Sequence, residues 1–188
     1  CGSAATLPTG AGQDESTIAY QQAAEREFIL RLKESMSAPD RNTAAELFVA
    51  LERMLPSWQA EQRRQKARTM EELLTVKVVS HFNLVLSEFQ SGTRERRLVA
   101  AWALAFSRVP TNELGVRSPH AAAVKNLVAA LNERDDELLR NILLAIWKIG
   151  EVESATAELS DLARRHHDPD VRANAMLALG STIRSAEG

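Results

Sequence analysis

Four histidines, one cysteine and the carboxylates near them are the side chains here with most scope for chemistry. The histidines are His81, His120, His166 and His167, and the cysteine is Cys1. A metal centre or a general acid–base site needs two or three such groups converging with carboxylates. His166, His167 and Asp168 are consecutive, so the two rings are expected to diverge at a helix end instead of sharing one ion. A histidine there is also favoured by the negative C-terminal pole of a helix. One cysteine allows no internal disulfide and no cysteine-based zinc site. The chain has no Gly-x-Gly-x-x-Gly, no phosphate loop and no Gly-x-Ser-x-Gly turn. The expectation is a non-enzymatic protein with no catalytic residue, no cofactor and no metal. A net charge of −2 argues against nucleic acid as the partner, because phosphate binding needs a clustered positive field.

The elements that position these residues read as helices. Aromatics make up only 5% of the chain, and frequent Ala and Leu favour packed helices over a β-sandwich. A first helix is expected from about Glu15 to Ser35, with Ala24, Phe28 and Leu32 at helical spacing and a break at Ser37-Ala38-Pro39-Asp40. Thr43-Ala44-Ala45-Glu46 is a capping box. It opens a helix with Leu47, Leu51, Met54 and Leu55 on its apolar stripe, and Pro56 is expected to stop it. Trp58 to Arg68 shows little apolar face, as an exposed helix or a linker would. Thr69-Met70-Glu71-Glu72 is a second capping box, followed by Leu74, Val78, Phe82, Val85 and Phe89. Thr75 to Val79 would also suit a strand, but capping and the longer period agree on helix.

Two later segments are apolar nearly all round. Leu98 to Phe106 includes Trp102, and Leu138 to Ile149 includes Trp147. Such helices are either buried on several sides or present a docking patch. If part is exposed, Trp102 and Trp147 are natural anchors for a protein partner. Arg63 and Arg64, in Gln62-Arg63-Arg64-Gln65-Lys66, could meet an acidic partner or anionic head groups. No apolar run approaches the roughly 20 residues needed to span a bilayer.

His167-Asp168-Pro169-Asp170-Val171-Arg172-Ala173-Asn174-Ala175-Met176-Leu177-Ala178-Leu179-Gly180 resembles the second helix of a HEAT repeat. The family pattern is Asp, two residues, Val-Arg, two residues, Ala, two residues, Ala-Leu-Gly, and each of those positions matches. A weaker copy lies 32 residues earlier, at Asp136, Leu139-Arg140, Leu143 and Ile146-Trp147. A third has Thr93, Arg97, Ala100 and Ala103-Leu104, separated from the second by an inserted loop from Val109-Pro110 to Ser118-Pro119. Repetition at a fixed spacing is more specific than one copy. The resemblance implies an all-α fold, a right-handed α-solenoid of HEAT-like antiparallel helix pairs over residues 14–188, clearest at about 70–185. Within it, Asp168 is expected as an N-cap before Pro169. Asp136 with Arg140 and Asp168 with Arg172 are spaced for ion pairs along a helix.

Cys1-Gly2-Ser3-Ala4-Ala5 is similar to the mature start of bacterial lipoproteins. That resemblance implies diacylglycerol on the Cys1 sulfur, an acylated (typically palmitate-bearing) N-terminus and, with Gly at position 2, the outer membrane. Residues 1–13 are small, polar and broken by Pro8, Gly10 and Gly12, the composition of a flexible tether. Together the two resemblances imply a lipid-anchored scaffold or adaptor at the periplasmic face, binding protein partners of an envelope complex. A pilotin-like assembly factor for an outer-membrane channel, and an enzyme with a site on the concave face, are the alternatives.

Overall fold

A computed structural model describes residues 44–61, 66–109, 119–150 and 153–186, with isolated helical positions at 23, 26, 27 and 30. Cys1, the 1–13 tether, Arg63 and Arg64, the inserted loop between 110 and 118, and nearly all of the first expected helix lie outside the described residues. Among those described the chain is all-α, with eight helices, one 3-10 turn and no strand. The helices are α1 (Ala44–Glu61), α2 (Lys66–Ser80), α3 (Phe82–Ser91), α4 (Arg94–Leu104), α5 (His120–Ala129), α6 (Asp136–Ile149), α7 (Thr156–Arg165) and α8 (Pro169–Ala186), with the 3-10 turn at Glu153–Ala155 before α7. Sequence neighbours pack together: α3 on α4, α5 on α6 and α7 on α8. A second set of contacts runs across them, α4 on α6 and α6 on α8, with α1 and α2 against α4. None of the described helices is long and apolar enough to cross a membrane.

Caps set the register of the crossing helices. Thr93 Oγ1 accepts from the Arg96 amide at 3.4 Å and starts α4. Asp135 Oδ1 accepts from Glu137 and Leu138 at 3.1 and 3.2 Å and starts α6. Asp168 Oδ1 accepts from Asp170 and Val171 at 2.8 and 2.9 Å and starts α8, as expected. The cap of α6 is therefore Asp135, not Asp136, so the α6–α8 offset is 33 residues instead of 32. Seven residues after each cap stand Ala100, Ile142 and Ala175, and ten after it Ala103, Ala145 and Ala178, all fully buried. The alanines at five of these six points let the helices approach closely, and the apolar face supplies the burial that holds them. Asp135→Ala is expected to cost about 1 kcal/mol, the usual loss for an N-cap, read as a lowered urea midpoint with unchanged slope.

Three boundaries differ from expectation. Pro56 lies inside α1 and does not end it. The ring is exposed, and the helix beyond it carries Trp58 into the core at 3% exposure, which outweighs one missing backbone bond. Trp58 itself sits in the segment expected to have little apolar face. Thr69 does not start a helix, because α2 already runs from Lys66. The apolar run from Leu74 to Phe89 is split at His81, between α2 and α3.

At the far end of α6, Gly150 closes the helix with φ 70° and ψ −166°. Only glycine adopts that backbone without strain. The core inside these helices includes Leu47 and Leu51 of α1, Leu74 and Val78 of α2, Leu127 of α5 and Leu159 of α7. At its centre three rings meet, Phe106 edge to face with each tryptophan and the two tryptophans tilted by 59°. Trp58 and Trp102 are 5.8 Å apart, Trp58 and Phe106 5.8 Å, and Trp102 and Phe106 5.4 Å.

Candidate functional site

Two places concentrate side chains with chemical or binding potential. The first is where the α7–α8 turn meets the start of α6. His166 and His167 do not diverge. Their rings lie 4.5 Å apart, tilted by 31°, and both face Asp136, with ligand-type atoms of all three within 4.8 Å. His167 Nε2 is 2.8 Å from Asp136 Oδ2, and His166 Nε2 is 3.8 Å from Asp136 Oδ1. The rings converge because the helix ends at Arg165, and His166 takes an extended backbone that turns the chain back along α6.

The hydrogen bonding of this trio fits a staple better than a cation site. The Asp168 amide donates to His166 Nδ1 at 3.2 Å, which leaves the proton of a neutral ring on Nε2, facing Asp136. A histidine that ligates a metal through Nε2 instead donates from Nδ1. Around the trio, Arg172 donates to the His166 and His167 carbonyls at 2.8 and 3.0 Å. Arg140 reaches across to Asp170 at 3.4 Å and lies 4.0 Å from Asp168. The expected pairs Asp136–Arg140 and Asp168–Arg172 are not formed. Arg140 reaches Asp170 on α8 and the Asp136 carbonyl of its own helix instead, and Arg172 takes the two carbonyls that precede α8.

The same scheme recurs one step earlier. Arg94 bridges Asp135 and Glu137, and Arg97 pairs with Glu133 at 2.6 Å while donating to the Phe89 carbonyl at 3.1 Å. These contacts hold carboxyls below the usual range: Asp135 chiefly through Arg94, Glu133 chiefly through Arg97, and Asp168 chiefly through the Val171 amide. A lowered folded pKa means that the stability is fully present above the ordinary carboxylate range. It is lost as pH falls through the lowered values. Urea midpoints are therefore expected to hold steady to about pH 5 and to drop below about pH 4. Glu133→Gln combined with Asp135→Asn is expected to flatten that fall.

The second place is an open groove of about 330 Å³ between α1, α6 and α8. Trp58 and Gln59 form one wall, Leu143, Leu144 and Trp147 the floor, and Asn174 with Leu177 the other wall. Leu177 is 51% exposed, and Trp147 is half-buried. Beneath the Trp58 wall, Lys148 places its ammonium 5.5 Å from the Trp58 ring and 5.2 Å from the Phe106 ring. Lys148 also pairs with Glu71, and the same Glu71 oxygen accepts from Trp58 Nε1 at 3.1 Å.

Of the candidate anchors, Trp147 lies in this groove. Trp102 does not: it is 0% exposed, which corrects its placement on a partner surface. The apolar run around it belongs to the core, and its indole N–H finds no hydrogen-bond partner among the described residues. Sequence reading missed the Lys148–Glu71–Trp58 cluster, whose members are 77 and 13 residues apart and share no local pattern. Compared with known protein families, curated proteins and solved structures, the chain matches none.

Proposed function

We propose that the chain is a non-enzymatic scaffold, anchored in the outer membrane and facing the periplasm, that holds protein partners of an envelope complex. In this reading residues 14–188 form a right-handed HEAT-like solenoid of antiparallel helix pairs, and Cys1 carries the lipid at the end of the 1–13 tether. The shared cap register of α4, α6 and α8 supports the repeat reading. Cys1-Gly2-Ser3 and the tether composition support the anchor.

The observation that carries the binding role is the groove. It joins one half-buried and one buried tryptophan to an exposed leucine, with Gln59 and Asn174 at its edges. Apolar floors with a few polar groups at the rim are what an amphipathic helix of a partner fills.

The test is photo-crosslinking from position 177 in membranes, followed by detergent purification. A stoichiometric protein adduct, lost when Trp147 is replaced by Arg, is the expected result. Recovery of the chain alone, with a small molecule held in the groove, overturns the scaffold reading. Intact mass tests the anchor separately: a gain of several hundred daltons on Cys1 is expected for a diacylglyceryl group (from about two fatty acyl chains), and an unmodified thiol removes it.

A further inference from the structure

The three helices that line the groove run in one direction. Near the start of α4, the Arg96 guanidinium lies over the Phe48 ring of α1, 5.6 Å from its centroid. Toward the helix ends, Trp58 of α1 meets Trp102 of α4 and Lys148 of α6. Arg140 reaches Asp170 where α6 and α8 begin, and further along the same two helices Trp147 and Leu177 share the groove. The groove therefore has a start-side mouth set by the N-terminal halves of α1, α6 and α8.

The charges at that mouth are uneven. Seven residues return a helix to within about 20° of the same side. Seven before Gln59, Trp147 and Leu177 stand Glu52, Arg140 and Asp170, so each charge continues a stripe that lines the groove. Arg140 does not balance the acids, because it also lies 4.0 Å from Asp168. Glu52, Asp168 and Asp170 thus share one cation. Glu52 is exposed, and the Asp170 side chain is 71% exposed, with one oxygen 3.4 Å from Arg140. The other nearby cations are turned away or engaged. Arg53 points about 100° from Glu52, Arg172 is taken by the His166 and His167 carbonyls, and Arg94 by Asp135 and Glu137.

We propose that the occupant of the groove is an amphipathic partner helix bearing a Lys or Arg just beyond its apolar anchors, whose cation is held at the mouth by Glu52 and Asp170. This rests on the groove being a partner site, as proposed above, and adds the sign of the partner's charge. An apolar floor sets how tightly a helix binds, whereas complementary charge at its end sets which helix binds and in which direction.

The test titrates the full chain with three labelled synthetic peptides, read by fluorescence anisotropy. One carries Leu and Trp at helical spacing with Lys at the end of the stripe. The second has Glu in place of Lys. The third is Pro-rich and extended, with the net charge of the first. The Lys peptide is expected to bind about tenfold more tightly than the Glu peptide at low salt, the gap narrowing as salt screens the charges. Glu52→Gln with Asp170→Asn is expected to close the gap with an unchanged circular dichroism spectrum. Glu52→Lys with Asp170→Lys is expected to reverse it, and Glu158→Lys, on the exposed side of α7, to leave it intact. Equal affinity for the Lys and Glu peptides, a gap indifferent to both double variants, or tightest binding by the Pro-rich peptide overturns this inference and leaves the groove a partner site. Failure of all three peptides to bind removes the groove reading as well.

Discussion

Trp102→Ala is expected to destabilise the protein by about 3–5 kcal/mol, the range for truncating a fully buried large aromatic. The residue is 0% exposed and packs against Trp58 and Phe106 at 5.8 and 5.4 Å. Removing it deletes one edge-to-face and one tilted ring contact and leaves a cavity that α4, held on one side by α1 and on another by α6, cannot close. Trp102→Phe is expected to recover much of the loss, since it keeps a ring and removes an indole N–H that has no acceptor among the described residues. Trp147→Ala, by contrast, should cost about 1–2 kcal/mol, because a half-buried side chain forfeits only part of its transfer energy. Denaturant unfolding of the three variants measures this. A Trp147→Ala loss matching that of Trp102→Ala would contradict the assignment of one tryptophan to the core and the other to the groove.

Glu71→Ala is expected to cost about 2 kcal/mol, below the 3–5 kcal/mol of a fully buried pair. The Glu71 side chain is 34% exposed and that of Lys148 20%, so water screens part of the interaction. Two donors lose their acceptor at once, the Lys148 ammonium and the Trp58 indole. Adding Lys148→Met to Glu71→Ala is expected to restore part of the stability, because methionine packs on the Trp58 and Phe106 rings without needing a counter-charge. A double-mutant cycle isolates the pair energy. Simple additivity would mean that the ion pair contributes nothing beyond its parts.

The helices were legible in the sequence where the signal is local. Leu47 and Leu51, Val78 and Val85, and Val171 with Ala175 and Ala178 are all in the core, because periodicity states which side of a helix avoids water. The cap at Asp168 was legible for the same reason. The step from Asp136 to Asp135 was not, since either aspartate fits the pattern and only amide geometry separates them. Partnership was the hard part. Arg140 has an aspartate four residues away and uses others about thirty residues on, and Trp58 looked exposed among charged neighbours until α2 and α6 closed around it. The histidine pair failed for a backbone reason: adjacent side chains diverge on a helix, but this helix ends between Arg165 and His166.

The Lys148–Glu71 contact joins residues 77 positions apart, whereas the caps and carbonyl clamps close loops of a few residues. Closing the longer loop carries the greater entropic cost, so its gain arrives late in folding, after α3 to α6 are placed. Interactions absent from the transition state act on the unfolding rate and leave the folding rate nearly alone. The pair therefore works as a latch on lifetime: without it the chain would reach the native state about as quickly and leave it sooner.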